Sequence, residues 1–338
     1  MAELYDITGW TIQEWHKPTM GTRAKNYVED PATGEVYFFK ESAAKFPEEF
    51  WSEIISSKFG QLIGLNVLDY NIAISGNTPG CISKHMLGQG HKQLYHAVDL
   101  FKDFLPGFVV TNKPKFCFQE ILEILDLPIF NKFINNIIEI IIFDALIGNG
   151  DRHLENWALI IDYDIAVNEY IGIKTTSFIN KISTIVKRYL GLNLGIREDK
   201  NLLKNISAIY SFAPIYDSGS CLGREKKEIE INNFLNDEQQ IIKYLKNGMH
   251  EIRWQENKVN FFDLVTLVQK DFPKEVNTIA KLIFEKAQEQ KILELVETID
   301  EKLNNNYSNF KLTLQRKKLI SNLLIKRVSH LKERLNLD

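Results

Sequence analysis

Cysteine is scarce in this chain, with three among 338 residues. Cys81, Cys117 and Cys221 lie far apart, form no CxxC pair, and have no histidine nearby at the spacing of a zinc site. Their positions give no support to a disulfide framework or a structural metal site. We expect three buried free thiols in a protein of a reducing compartment.

The chain also lacks a secretion signal, a membrane span and an excess of charge. Residues 1–17 have neither the basic start nor the apolar run of a signal peptide. The longest apolar stretch, 133–147, contains two asparagines and two acids, which indicates a buried helix rather than a membrane span. A net charge of -3 does not favour binding to nucleic acid or to a membrane surface. We expect a soluble cytoplasmic protein without direct nucleic-acid binding, and the sequence leaves export into a host cell open.

The stretch 141–161 (IIFDALIGNGDRHLENWALII) organises the rest of the chain. It begins as an apolar helix, breaks at GNG, presents DRHLEN in a polar turn and then becomes apolar again. Buried chain on both sides of a short charged loop holds functional groups rigidly while exposing them. We therefore place the chemistry at Asp151 and Asn156. His153 is expected to be structural, because an imidazole in such a loop usually fixes backbone geometry by hydrogen bonding.

The first 87 residues predict a small antiparallel sheet with one helix. The predicted elements are strands at 9–16, 67–74 and 80–86, a hairpin around the turn 30–34 (DPATG), and a helix that starts at Pro47 and stops at Gly64. Lys40 ends the second strand of the hairpin.

After Leu87 the pattern becomes helical, which predicts a lobe boundary near 87–90 that separates residues 1–87 from residues 88–338. In the second lobe we predict helices at 118–125, 130–146 and 312–335, an apolar strand from Phe212 that ends at the acid Asp217, and an insertion at 162–210 with a helix at 178–190. The fold class is therefore α+β, with a mostly helical second lobe.

Asp151, Asn156 and Asp217 are oxygen-bearing side chains at turns beside apolar segments. Phosphoryl transfer needs one carboxylate to orient a hydroxyl nucleophile, and an amide oxygen plus a second carboxylate to hold magnesium on nucleotide phosphates. The first lobe supplies the complementary groups. The backbone of Gly21 could approach the phosphates, and Lys40 could reach them as a point charge. Glu53 could hold Lys40 in place.

The motifs GDRHLEN (150–156) and YDSG (216–219) together resemble the catalytic segments of the HipA-like serine/threonine kinases. GTRAK (21–25), FFK (38–40) and SE (52–53) upstream of GL also resemble segments of that family. The resemblance covers the first lobe and the first half of the second. It implies a two-lobed protein-kinase-like fold, with ATP and Mg²⁺ as cofactors. It also implies transfer of the γ-phosphoryl to a Ser or Thr hydroxyl of a protein substrate, with autophosphorylation.

The resemblance also implies roles for individual residues. In that family the DRHxxN aspartate is the catalytic base and the asparagine binds magnesium, which implies Asp151 and Asn156 here. Asp217 corresponds to the other metal-binding acid, Lys40 to the phosphate lysine and Glu53 to its helix partner. The remaining implied nucleotide-binding positions are the phosphate-covering loop (Gly21, Thr22, Arg23, Lys25) and the linker between the lobes (Lys84, His85, Met86). Thr22 either accepts phosphate or simply caps a turn.

The chain departs from the family pattern in two ways. Its connection from Asn156 to Asp217 is much longer than usual, so the insertion at 162–210 is expected to shape substrate access or a partner surface. The sequence also begins almost at the kinase core, as in the compact members of the family. This start leaves open whether a helix-turn-helix antitoxin is a partner.

Other interpretations remain. The DRHLEN segment could be a solvated loop with local turn bonds, Lys40 a surface lysine, and Glu53 one solvated helix acid among several. Phosphatidylinositol kinases also carry a DRHxxN loop, although this sequence shows no basic membrane-facing cluster. A nucleotide-binding pseudokinase or interaction module is the non-enzymatic alternative, although no catalytic position is visibly lost.

Overall fold

The computed structural model describes residues 1–13, 25–88, 90–111, 115–164 and 209–337. Its strands are β1 (Leu4–Asp6), β2 (Thr11–Ile12), β3 (Lys25–Glu29), β4 (Val36–Glu41), β5 (Asn71–Ser75), β6 (Thr78–Lys84), β7 (Lys92–His96), β8 (Ala158–Asp162) and β9 (Tyr210–Phe212). Its helices are α1 (Glu49–Leu62), α2 (Ala97–Phe104), α3 (Phe118–Leu125), α4 (Ile134–Ile147), α5 (Glu228–Leu235), α6 (Glu238–Asn247), α7 (Phe261–Asp271), α8 (Pro273–Lys286), α9 (Glu289–Thr298) and α10 (Leu314–Leu335).

The first six strands form one sheet in the order β1-β5-β6-β4-β3-β2. The predicted hairpin is confirmed: β3 and β4 are antiparallel, with Lys25 opposite Lys40. Of the strand predicted at 9–16, the described residues include β2, which pairs with β3 at Thr11 and Ile12, and residues 14–16 lie outside the described part of the chain. Strand β1 was not predicted, and it pairs in parallel with β5 at the edge of the same sheet.

The two faces of this sheet carry different side chains because successive residues of a strand point to opposite sides. One face packs as a small apolar cluster that includes Val28, Tyr37 and Phe39. Lys40 follows Phe39 on β4 and pairs across to Cys81 of β6. Lys40 is therefore on the other face, which meets α1.

Helix α1 matches the predicted helix, and Gly64 follows it at φ +84°. Its apolar positions, among them Trp51, Ile54 and Phe59, are almost completely buried. Glu53 is buried with them at 1% exposure. A charge buried this deeply needs a partner, and the site described below supplies one.

A second sheet, with the order β7-β8-β9, corrects the prediction that the chain is simply helical after Leu87. Strand β7 pairs antiparallel with β8, so its partner lies more than sixty residues later in the chain. Local pattern could not show a strand that exists through this pairing. The predicted strand from Phe212 is also displaced: β9 ends at Phe212, and Ile215 forms only an isolated bridge with Val67.

The predicted helices 118–125 and 312–335 are confirmed as α3 and α10. The helix predicted at 130–146 begins later, at Ile134, after a single 3-10 turn. Helix α4 ends at Ile147, and Gly148 follows it as a left-handed C-cap with a φ of +73°. Helices α7, α8 and α10 pack on α4, so the chain that leads into the DRHLEN loop lies in the core.

Some predicted features fall outside the described residues. These are Gly21, Thr22, Arg23, the helix at 178–190 and nearly all of the insertion at 162–210. Of the three free cysteines, Cys81 and Cys221 are buried and Cys117 is half-buried. Within the described ranges, no helix combines the length and apolar character that a membrane crossing requires.

Candidate functional site

The Lys40 ammonium is the point where three distant segments meet. Its Nζ makes ion pairs with Oε1 of Glu53 on α1 and with Oδ1 of Asp217. Lys40 and Glu53 are almost fully buried, whereas 24% of the Asp217 side chain is exposed. The structure therefore brings together three of the predicted site residues, and the acid that follows Tyr216 is the one that faces solvent.

Glu53 also holds the loop that carries Asp217. Its second oxygen, Oε2, accepts a hydrogen bond from the backbone N–H of Ser218 at 2.9 Å. A Cβ atom at Gly219 would lie 2.8 Å from Oε1 of Glu53, closer than real Cβ contacts allow. Asp217 itself has a φ of +53°, in the left-handed region that few residues other than glycine adopt. The acid is therefore presented by a loop fitted closely around the Glu53 carboxylate.

Asp151 and Asn156 are joined within the DRHLEN loop. The Asn156 side-chain Nδ2 donates to the carbonyl oxygen of Asp151 at 2.7 Å. The Asp151 backbone N–H donates in turn to Oδ1 of Asn149 at 3.4 Å. This hydrogen bond fixes the Asn156 side chain against the main chain of the loop.

Arg152 connects this loop to the Asp217 segment, and sequence reasoning did not assign it a role. Its guanidinium is fully buried and makes two hydrogen bonds to the Asp144 carboxylate, at 2.8 and 2.9 Å. Nη1 also donates to the carbonyl oxygens of Asn156 and Tyr216, and Nη2 donates to Oγ of Ser218 at 3.0 Å. One side chain thus holds the end of α4, the DRHLEN loop and the Asp217 segment together.

Asp144 is the buried counter-ion of this arginine. Burial raises the pKa of the Asp144 carboxyl, but the positive charge of the neighbouring Arg152 and its hydrogen bonds to the carboxylate outweigh burial and leave the pKa below its ordinary value. Asn149 donates to the same carboxylate at 3.0 Å, and Nε2 of His250 lies 3.4 Å from it. A sequence signal for this pairing did exist, because an acid inside an apolar helix needs a buried partner.

His153 has the structural role that was predicted. The backbone N–H of Glu155 donates to its Nδ1 at 3.3 Å, and its carbonyl oxygen accepts from the backbone N–H of Asn156 at 2.9 Å. Both contacts close the turn of the loop.

The predicted linker at Lys84, His85 and Met86 continues β6. The Lys84 side chain is exposed and pairs with Glu35, so it does not point to Lys40. The His85 backbone N–H donates to Val36 O at 3.0 Å, and its ring lies against Tyr27. The described part of the chain contains no hydrogen-bond acceptor for the backbone N–H of Met86.

Asp217 and Asn156, the two residues predicted to bind magnesium, would offer it one carboxylate and one amide oxygen. Within the described residues, no group of three or more His, Cys, Asp or Glu side chains is arranged to hold a metal by itself. This donor set fits magnesium that arrives with a nucleotide, because such an ion is held by one or two protein ligands together with phosphate oxygens and water.

No protein-family model matches this chain, and no curated protein sequence is similar to it. Among solved structures, the chain is similar to the Helicobacter pylori proinflammatory kinase CtkA, with a TM-score of 0.73 and 17% identity over 98% of this chain and 96% of that chain. It is also similar to HipA of Shewanella oneidensis MR-1, solved in complex with HipB and its operator DNA, with a TM-score of 0.51 and 9% identity. This second match covers 94% of the chain but 65% of HipA, so the chain spans about two thirds of HipA.

The chain therefore has the two-lobed fold of the HipA-like kinases, as the sequence predicted. At these identities the likeness establishes the fold alone.

Proposed function

We propose that this protein is an ATP- and magnesium-dependent serine/threonine protein kinase of the HipA-like family. The observation that carries the proposal is the meeting of Lys40, Glu53 and Asp217, three residues from separate segments that were selected from sequence as phosphate and metal groups. The Arg152 hydrogen bonds support it, because they join the segment of Asp217 to the loop of Asp151 and Asn156.

In the proposed reaction Asp151 accepts the proton of a Ser or Thr hydroxyl while the hydroxyl oxygen attacks the γ-phosphorus of ATP. The bond from the γ-phosphorus to the β–γ bridging oxygen breaks, and ADP leaves. Asn156 and Asp217 would hold magnesium, which would supply neutralisation of the phosphate charge. Lys40 binds the phosphates as a point charge, and Glu53 fixes its position. The reaction depends mainly on this alignment and charge neutralisation.

The rest of the proposed nucleotide site comes from the resemblance. The loop with Gly21, Thr22, Arg23 and Lys25 covers the phosphates, and the linker of Lys84, His85 and Met86 offers backbone groups to adenine. The N–H of Met86, which has no acceptor among the residues that the structure describes, supports the second part. The lobe boundary near 87–90 follows the end of β6 and belongs to the same proposal.

The partners are proposed as a protein substrate with a Ser or Thr acceptor and an antitoxin. The antitoxin rests on HipA, which was solved together with HipB. Copurification of a second protein encoded beside this chain would support that partner, and its absence from the purified complex would oppose it.

The test is phosphate transfer from labelled ATP with magnesium, to the chain itself and to a generic protein acceptor. We expect wild type to label protein and Asp151→Asn to lose about 10²- to 10⁴-fold in rate, as is typical of a removed general base. Intact mass before and after the reaction shows whether the chain modifies itself, and peptide mapping shows whether Thr22 is the acceptor. Near-normal transfer by the variant would remove Asp151 from its role. Phosphatidylinositol vesicles serve as the competing acceptor, and labelling of lipid alone would favour a lipid kinase.

A further inference from the structure

The main chain of Asp151 is fixed on both sides, but its side chain keeps two rotatable bonds. Asn149 and Asn156 hold the backbone N–H and carbonyl of Asp151, as described above. Across the described ranges, the only group that hydrogen-bonds to the carboxylate is Ser220, whose Oγ donates to Oδ2 at 3.2 Å. Ser220 is thus the contact that sets the direction of the carboxylate.

Ser220 belongs to a loop that is held on both sides of it. Upstream, Ser218 donates its backbone N–H to the buried Glu53 carboxylate at 2.9 Å. Downstream, the backbone N–H of Leu222 donates to the carbonyl oxygen of Ile147, at the end of α4, at 3.1 Å. The Ser220 hydroxyl is therefore delivered by fixed chain rather than by a free surface side chain.

The same short loop carries Asp217 at one end and Ser220 near the other. Asp217 contacts Lys40, while Ser220 contacts Asp151. The Glu53 carboxylate sits against the middle of the loop, where a Cβ at Gly219 would meet it. This one loop therefore sets both the position of Asp217, the proposed metal ligand, and the orientation of Asp151, the proposed base.

We propose that Ser220 is a positioning residue for the base of the phosphotransfer reaction, an inference that rests on the proposed function. Its hydroxyl holds Oδ2 of Asp151 and leaves Oδ1 to face the acceptor hydroxyl. Ser220 does not touch the reacting atoms and takes no proton. A base held in one direction avoids the loss of rate that follows from small misplacements of catalytic groups.

The test compares Ser220→Ala with Ser220→Thr in the phosphate-transfer assay. Loss of one hydrogen bond to a carboxylate is expected to lower kcat about tenfold in the alanine variant. The KM for ATP is expected to stay the same, because the nucleotide-binding residues are untouched. The threonine variant keeps the hydroxyl and is expected to stay within about twofold of wild type.

Two controls separate positioning from general disturbance of the fold. Ser211→Ala makes the same truncation at an exposed serine of β9 and is expected to leave kcat unchanged. Adding Ser220→Ala to Asp151→Asn is expected to cause no further loss, since the carboxylate that Ser220 orients is already gone.

The outcomes are distinguishable. Absence of transfer by wild type to any acceptor would overturn the kinase proposal and this role with it. An active wild type with an equally active Ser220→Ala variant would overturn the role alone, as would a full additional loss in the double variant. Phosphate mapped to Ser220 in wild type would also overturn the role, because the hydroxyl would then be an acceptor.

Discussion

Two charged clusters lie on either side of the Asp217 loop, and they differ in their access to solvent. The sealed cluster (Asp144, Arg152, His250) has no exposed side chain. In the open cluster (Lys40, Glu53, Asp217), Lys40 and Glu53 are buried and Asp217 is partly exposed. A sealed ion pair cannot exchange partners without unfolding, whereas a partly exposed acid such as Asp217 can exchange a lysine for a metal without unfolding. We therefore propose a structural role for the first cluster and, as part of the proposed function, a ligand-binding role for the second.

The largest effect on stability is expected from a substitution that removes a member of the sealed cluster. Arg152→Ala leaves the Asp144 carboxylate buried without its main partner, which is expected to lower the free energy of unfolding by about 3–5 kcal/mol. Urea denaturation measures this change. Arg334→Ala, which removes a surface arginine paired with Asp263, is the matched control and is expected to change stability by less than about 0.5 kcal/mol. Equal stability of the two variants would contradict the structural role of the sealed cluster.

A change in the open cluster is expected to lower activity strongly and stability only slightly. Asp217→Asn is expected to abolish turnover while the free energy of unfolding falls by no more than about 1 kcal/mol, since Lys40 keeps Glu53 as a partner. Initial rates at saturating magnesium and ATP, measured beside urea curves, test both halves. Near-normal turnover would remove Asp217 from the proposed metal site.

A change in the Asp217 loop, which lies between the two clusters, is expected to affect both stability and nucleotide binding. Gly219→Ala places a Cβ against the Glu53 carboxylate, which is held by Lys40 and cannot easily move. Overpacking of this kind costs about 1–3 kcal/mol of stability, and the displaced loop should also weaken nucleotide binding. Denaturation and nucleotide titration of the same sample check the two effects. An unchanged protein would show that the loop adapts freely.

The smallest effect is expected at Lys84. Its side chain pairs with Glu35 in solvent, and the proposed linker contact with adenine uses backbone groups, so Lys84→Met should leave both the thermal midpoint and the nucleotide affinity unchanged. A marked loss of affinity would show that the lysine side chain, and not the open cluster alone, binds the nucleotide.

The two clusters also show what could be predicted from the sequence. Local sequence pattern places Lys40 at a strand end, Glu53 on an amphipathic helix and Asp217 at a turn. The family resemblance then predicted that these three residues belong to one site. Arg152 stood in the same motif as Asp151, but local pattern does not reveal whether a charge is exposed or buried.

The fold follows the same division. The hairpin and helix α1 were predicted because turn residues and the spacing of apolar residues can be recognised within a short stretch of sequence. The β7-β8-β9 sheet and the β1–β5 pairing were missed because each depends on a partner far along the chain. One local pattern could have predicted the sealed cluster: Asp144 lies within an apolar helix, and a buried acid requires a buried cation as its partner.

The thermal unfolding midpoint with ATP, measured with and without magnesium, tests the ligand-binding role of the open cluster most directly. A nucleotide that binds only the folded form must raise the midpoint. We expect wild type to show a rise that grows with magnesium, and Asp217→Asn to lose the magnesium-dependent part. No rise for wild type at millimolar ATP would contradict the account.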